Sequence, residues 1–252
     1  LELRRGNGRI ILCTLDLEDH VPADPAARML ALNLMEYAKN MPDLPHRTTF
    51  LIGRDADAAL LDSMTLQYRR VNNIPNEPDT LLIVGTDSRP DDNKIEDFLA
   101  GGGRVLFLAR SSENAPLAVK MRKADSFAGS LNAPGWGVNA GVGASELRYR
   151  SGLTTWLLKA GCDIGGNGLL GVKKVGNGLA VFTQIDPDRF DADDKTYFRY
   201  TRWRQTRALT QILTNLGARF DIDNGLSTNR TQFVISLAGQ WKAIMPRVLP
   251  PA

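Results

Sequence analysis

The sequence is poor in the side chains that most often carry chemistry: it has two cysteines and two histidines in 252 residues. Cys13 and Cys162 define neither a disulfide framework nor a thiolate metal cluster, and each reads as a small buried hydrophobe. With only His20 and His46, acid–base catalysis through imidazole has few starting points. Aromatics make up 7% of the residues and the formal net charge is only +3. The basic residues are scattered and do not interleave with aromatics into a stripe, so no nucleic-acid partner is expected. No run approaches the ~20 apolar residues that span a bilayer, so no membrane helix is expected either. The chain opens at LELRRGNGRI without an initiator Met. It reads as a piece of a longer polypeptide, and the missing leader says nothing about location.

What is present is an ordinary globular composition, 43% hydrophobic and 23% charged, with a clear α/β pattern. Its centre is residues 79–112. Residues 80–84 are a continuous apolar run bounded by Asp79 and Gly85, as in a strand buried on both faces. Ile95, Phe98 and Leu99 give residues 91–100 one apolar helical stripe. Pro90 and the acids after it suit a helix start, and Gly101, Gly102 and Gly103 suit its end. Residues 105–108 resume as a second buried strand, completing a βαβ unit.

Around this unit, residues 48–52 ending at Gly53 read as a first strand, 57–64 as a helix and 66–71 as a strand. A short helix is expected in 111–122 after Pro116, and an irregular excursion in 125–143. Short strands are expected at 147–150 and 155–158. Residues 169–172 pair through Gly176-Asn177-Gly178 with a strand at 179–185, and a long helix at 200–216 ends at Gly217. This alternation predicts a doubly wound, mostly parallel sheet with flanking helices over residues 47–223.

Part of this order occurs twice. Gly6-Asn7-Gly8 forms a hairpin-type turn into a strand at 10–15, then Asp16, then a helix opened by Asp24-Pro25. Gly8 and Gly178, and Asp16 and Asp186, keep one spacing; Arg28 and Leu30 answer to Arg207 and Leu209. Residues 1–40 therefore read as the tail of a preceding copy of the same domain, and 41–46 as a linker. Two unrelated strand–helix pieces sharing a common turn are the alternative. The first helix is apolar on most sides (Met29, Leu30, Leu32, Leu34, Met35, Tyr37) and reads as made to be buried. Residues 224–252 read as a polar linker and the start of a further β domain, so the flanking segments are expected to be truncated.

The set formed by Gly53, the FLAGGGRVLFL segment, the GNG hairpin and the ALTQILTNLGA helix resembles the class I glutamine amidotransferase-like fold. More narrowly, it is similar to the non-catalytic copies of that fold in large bacterial glycoside hydrolases, such as the trimerisation domain of family 42 β-galactosidases and its relatives in family 2-like enzymes. Ser236-Leu237-Ala238-Gly239-Gln240-Trp241-Lys242 is similar to the opening strand of a family 2 sugar-binding jelly roll. Working amidotransferases of this resemblance carry a Cys on the turn after the strand matching residues 104–108. Here the turn reads Ala109-Arg110-Ser111-Ser112, and neither His20 nor His46 falls where a partner belongs. A thiolate or a serine alkoxide needs a positioned base or positive field. No catalytic residue is assigned.

Other motifs are weaker. Asp186, Asp188, Asp191, Asp193 and Asp194 form an acidic loop without the glycine and distal Glu of a calcium loop, so no metal site is assigned. Gly135-Trp136-Gly137-Val138-Asn139-Ala140 matches a loose dinucleotide fingerprint but follows Pro134 and not a strand, so no cofactor is assigned. Trp203 on a helix reads as core, whereas Trp136 in the excursion is the best placed of the tryptophans to stack on a sugar. Glu146, Arg148 and Arg150 alternate as on a half-exposed strand, or as a bridge to a neighbouring domain.

The resemblance implies a non-catalytic structural or oligomerisation module of a multidomain carbohydrate-active enzyme, β-galactosidase-like, in the periplasm or outside the cell. Its implied partners are the other domains of the parent chain, a second copy of itself, or carbohydrate. The alternative is a carbohydrate or small-ligand binding module, with its pocket at the carboxyl ends of the strands near Gly53, Gly85, Arg110, Ser111 and, in the excursion, Trp136.

Overall fold

The computed structural model describes residues 2–5, 8–39, 46–77, 79–128, 136–190 and 195–221. Contacts divide the chain into two compact units, Leu1–Leu44 and Pro45–Ala252. The first holds an antiparallel hairpin, β1 (Glu2–Arg5) and β2 (Gly8–Ile11). Helix α1 (Pro25–Lys39) follows. Asp24 opens it by accepting the Ala26 amide on Oδ1 at 2.8 Å, the usual way a short acidic side chain satisfies a first-turn N–H. Ala27 is the one buried residue of this helix.

The second unit is built on β3 (Thr49–Ile52), β5 (Arg69–Arg70), β6 (Leu81–Val84), β7 (Arg104–Phe107), β10 (Asp163–Gly165), β11 (Leu170–Val175) and β12 (Gly178–Thr183). Their order across the sheet is β10-β11-β12-β7-β6-β3-β5. The last five are mutually parallel, while β10 and β11 add an antiparallel flank. Among the parallel strands the order of appearance is 2-1-3-4-5, the flavodoxin-like arrangement that reverses direction between its first and third strands. Here that point lies between β3 and β6.

Side-chain alternation along the strands builds two cores. Leu81 and Ile83 of β6 face one cluster, with α2 (Asp55–Ser63) and α4 (Phe198–Asn215) supplying Leu61, Leu209 and Leu213. Leu82 and Val84 face the other, with α3 (Asp92–Ala100) supplying Ile95 and Leu99. Because both faces are covered, all four β6 residues are buried, and the strand reads as an unbroken apolar run instead of an alternating one. Two short strands, β4 (Leu66–Gln67) and β13 (Arg219–Phe220), pair beside the sheet. A long antiparallel pair, β8 (Lys120–Ala128) and β9 (Arg148–Ala160), extends beyond it.

The structure corrects several expectations. Residues 111–122 hold no helix. Leu117 and Ala118 take left-handed backbone, φ 59° and 57°, and Lys120 begins β8. Residues 147–150 and 155–158 are parts of the single strand β9. Residues 66–71 split into β4 and β5, with Tyr68 between them turning its hydroxyl to Asp62 at 2.8 Å. Cys13 is exposed and Cys162 half-buried, so Cys13 is not the buried hydrophobe expected. The apolar α1 is likewise mostly exposed. Residues 224–252, Gly135, and Asp191, Asp193 and Asp194 lie outside the described residues.

Candidate functional site at the carboxyl edge of the sheet

An open parallel sheet takes ligands in the crevice where strand order reverses, beyond the carboxyl ends of the strands. Here that crevice lies between Gly53, after β3, and Gly85, after β6. It is filled from within. Asp57, in the first turn of α2, is buried. Its Oδ2 accepts the Arg54 amide at 2.8 Å and its Oδ1 accepts the Thr86 amide at 2.8 Å. One carboxylate thus ties the loop after β3 to the loop after β6, at a helix N-terminus where the dipole favours an anion. This is the place where a bound anion would otherwise sit. The glycines are there because nothing larger fits: a Cβ on Gly85 would lie 2.3 Å from Asp57 Oδ2 and 2.8 Å from Gly53 Cα.

The next loop is closed in the same manner. The Arg110 side chain folds inward and is buried. Its Nη1 donates to Ser88 O at 2.7 Å and its Nη2 to Val84 O at 3.2 Å. The guanidinium carbon stands 5.3 Å from the centre of the Phe107 ring, which stacks on Phe182. Burial pushes the Arg110 pKa down to about 10, against the pull of Asp87 and Asp57, so the group stays charged at neutral pH. Gln184, at the end of β12, accepts the Arg110 amide on Oε1 at 3.1 Å. Gln184 Nε2 and Arg110 Nε are buried donors without an acceptor among the described residues.

Ser111 is exposed on this turn. Its amide donates to Asp87 Oδ1 at 2.9 Å, and its hydroxyl donates to Asp87 Oδ2. Burial raises the Asp87 carboxyl, but the two Ser111 bonds and the charges of Arg110 and Arg54 outweigh it, and the net shift is downward. An acid held below the ordinary carboxylate range is a weak proton acceptor, so this pair does not activate the hydroxyl. Ser112 accepts Arg89 Nη2 at 2.8 Å. His46 stands beside Arg47, whose amide bonds Gly217 O at the amino end of the sheet, the opposite edge from Ser111.

Asp186 follows β12 at the same carboxyl edge, partly buried. Burial raises its pKa, reinforced by Asp188, while Arg189 opposes. The folded state therefore favours the protonated acid. That contribution is complete below the unfolded carboxyl range and is lost as pH rises through the folded value. Asp186→Asn should accordingly match the parent in urea midpoint at pH 3 and exceed it at pH 7.

Of the residues expected at the site, the structure brings Gly53, Gly85, Arg110 and Ser111 to one edge. Trp136 is elsewhere, half-buried against the core beside the last turns of α4, where Asn215 Nδ2 donates to Val138 O at 3.0 Å and Ala140 O at 2.9 Å. Glu146 pairs with Arg207 of α4 and accepts the Gly143 amide at 2.6 Å. Cys162, half-buried, has its thiol pushed up to about 11 by burial, the reverse of what a nucleophile needs. No group of metal-binding side chains occurs among the described residues. A cavity of about 520 Å³ is lined by Asn73, Asn76, Glu77, Lys94, Asp97 and Phe98 among others.

Asp57, Asp87 and Gln184 were not apparent from sequence. The available signal was spacing: Asp57 comes four residues after Gly53, and Asp87 two after Gly85.

Neither a family model nor a curated protein matches the sequence. Three of the similar solved structures are glycoside hydrolases. A cold-adapted β-galactosidase from Rahnella sp. R3 is 12% identical, over 64% of this chain and 32% of that one, at a TM-score of 0.34. An exo-β-1,4-mannosidase from Opitutaceae bacterium strain TAV5 is 12% identical over 78% and 39%, at 0.40. A family 42 β-galactosidase from G. stearothermophilus is 11% identical over 64% and 31%, at 0.32. The chain spans less than two fifths of the length of each.

Proposed function

We propose that the second unit is a non-catalytic structural module with the class I glutamine amidotransferase-like fold, serving domain packing or oligomerisation in a multidomain, β-galactosidase-like glycoside hydrolase. One observation carries the non-catalytic part: the carboxyl-edge crevice is occupied by the chain's own side chains. Asp57 fills the point where strand order reverses, and Arg110 folds into the turn where the resembling enzymes hold a nucleophile. Of the two hydroxyls on that turn, Ser111 donates to Asp87, a carboxylate of lowered pKa and so a weak base, and Ser112 accepts from Arg89. The enzyme context rests on the sequence resemblance of residues 47–223 and 236–242. The 252-residue chain should release no product from chromogenic glycosides or from glutamine. Turnover that vanishes in Ser111→Ala would overturn the reading.

A second reading, binding of a carbohydrate or small polar ligand at this edge, is favoured by the two buried donors without acceptors, Gln184 Nε2 and Arg110 Nε. Calorimetry with millimolar mono- and disaccharides decides it. Heat that is lost in Gln184→Leu supports the binding module, and its absence removes it.

A further inference from the structure

The two hairpins share one register. In the first unit Arg5 faces Gly8 and Leu3 faces Ile10. In the second, Val175 faces Gly178 and Lys173 faces Ala180. Adding 170 to each number of the first pair of strands yields the second. The surroundings differ. The strand β12 pairs in parallel with β7, and α4 buries six residues. Among the described residues, β2 pairs with β1 alone and α1 buries only Ala27. Positions that match in sequence therefore differ in exposure. Leu15 is 59% exposed where Ile185 is 1%, and Met29 is 65% exposed where Ala208 is 0%. Cys13 is exposed where Thr183 is fully buried.

A glycine shows what the second hairpin rests on. Gly178 does not take left-handed backbone, so its turn does not require glycine. Contact does: a Cβ there would lie 2.2 Å from Leu99 O and 2.6 Å from Gly103 O, in the turn between α3 and β7. The matching position in the first hairpin, opposite Arg5, is also glycine, Gly8.

We propose that the open edge of β2 and the apolar face of α1 bind the parallel half of an α/β layer built like that of the second unit, supplied by the same polypeptide ahead of β1. Its last strand runs parallel to β2, and the helix-to-strand turn before that strand lies against Gly8. In the second unit the same half, α3 and β7, precedes its hairpin in the chain. Leu15, Met29, Leu32 and Met35, all exposed, form the rest of the contact. Together they offer an apolar surface of the kind that marks an interaction site. The inference stands on the repeat and not on the absence of catalysis, so glycosidase assays do not bear on it.

Cys13 reports the contact directly. Its alkylation by a maleimide, followed by peptide mass spectrometry, is compared in residues 1–252 alone and in the polypeptide expressed at the full length of its reading frame. Cys162 serves as the internal control. Cys13 should react fast in the first and roughly 100-fold more slowly in the second, as expected for a thiol reached only by local opening. Leu15→Glu in the full-length polypeptide should restore fast labelling while Cys162 is unchanged. Three outcomes overturn the proposal. In the first, Cys13 is equally fast in both. In the second, it is protected in residues 1–252 at every concentration, so that the second unit covers it. In the third, protection grows with concentration, so that a second copy does.

Discussion

Asp57→Ala should lower the stability of the second unit by about 3 kcal/mol, since each hydrogen bond to a charged acceptor contributes roughly 1.5–3 kcal/mol and the orphaned donors lie partly out of water. For a domain of this size that is a fall in melting temperature of roughly 6–12 °C. The carboxylate accepts the Arg54 amide, three residues before it, and the Thr86 amide, 29 residues after it. Removing it leaves two N–H groups unsatisfied and opens a void between Gly53 and Gly85. Asp57→Asn should rescue little, because one of its two polar atoms is a donor that would face another donor. Asp55→Ala, two residues earlier in the same first turn, is the control. Its carboxylate pairs with Arg70 at 2.6 Å but its side chain is 93% exposed, and exposed pairs contribute little. Thermal and urea unfolding of the three variants distinguish a buried tie from a favourable helix-end charge. If Asp57→Ala and Asp55→Ala cost the same, Asp57 acts only through the helix dipole.

The parallel core was legible because its signals are local. A strand covered on both faces must be apolar throughout, so β6 stands out without its neighbours, and three glycines after Ala100 stop α3 at the observed place. What failed was decided at a distance. Pro116 suggested a helix, but the Leu117 amide is taken by Asp92 Oδ2 at 3.2 Å and the Leu117 carbonyl by Lys173 Nζ at 2.7 Å. These partners hold the residue in a left-handed turn. Ser151 and Gly152 interrupt the apolar pattern of β9, whereas pairing with β8 on either side of them joins it across a register shift between Ser126 and Ala128. The site shows the same split. Gly53, Gly85, Arg110 and Ser111 follow strands and could be placed by topology. Gln184 acquires its role from the Arg110 amide, 74 residues earlier, and a glutamine after a strand carries no mark of that.

The sheet should be most sensitive at a residue with no side chain at all. Gly178→Ala should destabilise the second unit by about 3 kcal/mol, at the upper end of what an added methyl costs in a close-packed interior. The new Cβ would stand 2.2 Å from Leu99 O, 2.6 Å from Gly103 O and 2.7 Å from Leu99 C. All three are backbone atoms, so no rotamer change relieves the contact; the turn after α3 must move, or β12 must leave β7. Leu179 N bonds Gly103 O at 3.3 Å in that same corner, and the displacement would break it. Gly102→Ala isolates the other way a glycine can matter. Its surroundings are empty but its φ is +100°, so the cost is conformational, about 1 kcal/mol. Gly137→Ala, with open space and no left-handed backbone, should be near neutral. Urea midpoints in the order Gly137→Ala, Gly102→Ala, Gly178→Ala, from most to least stable, would establish close approach as the reason for glycine at 178. Near-equal midpoints for Gly178→Ala and Gly137→Ala would mean that the hairpin does not press on the α3–β7 turn.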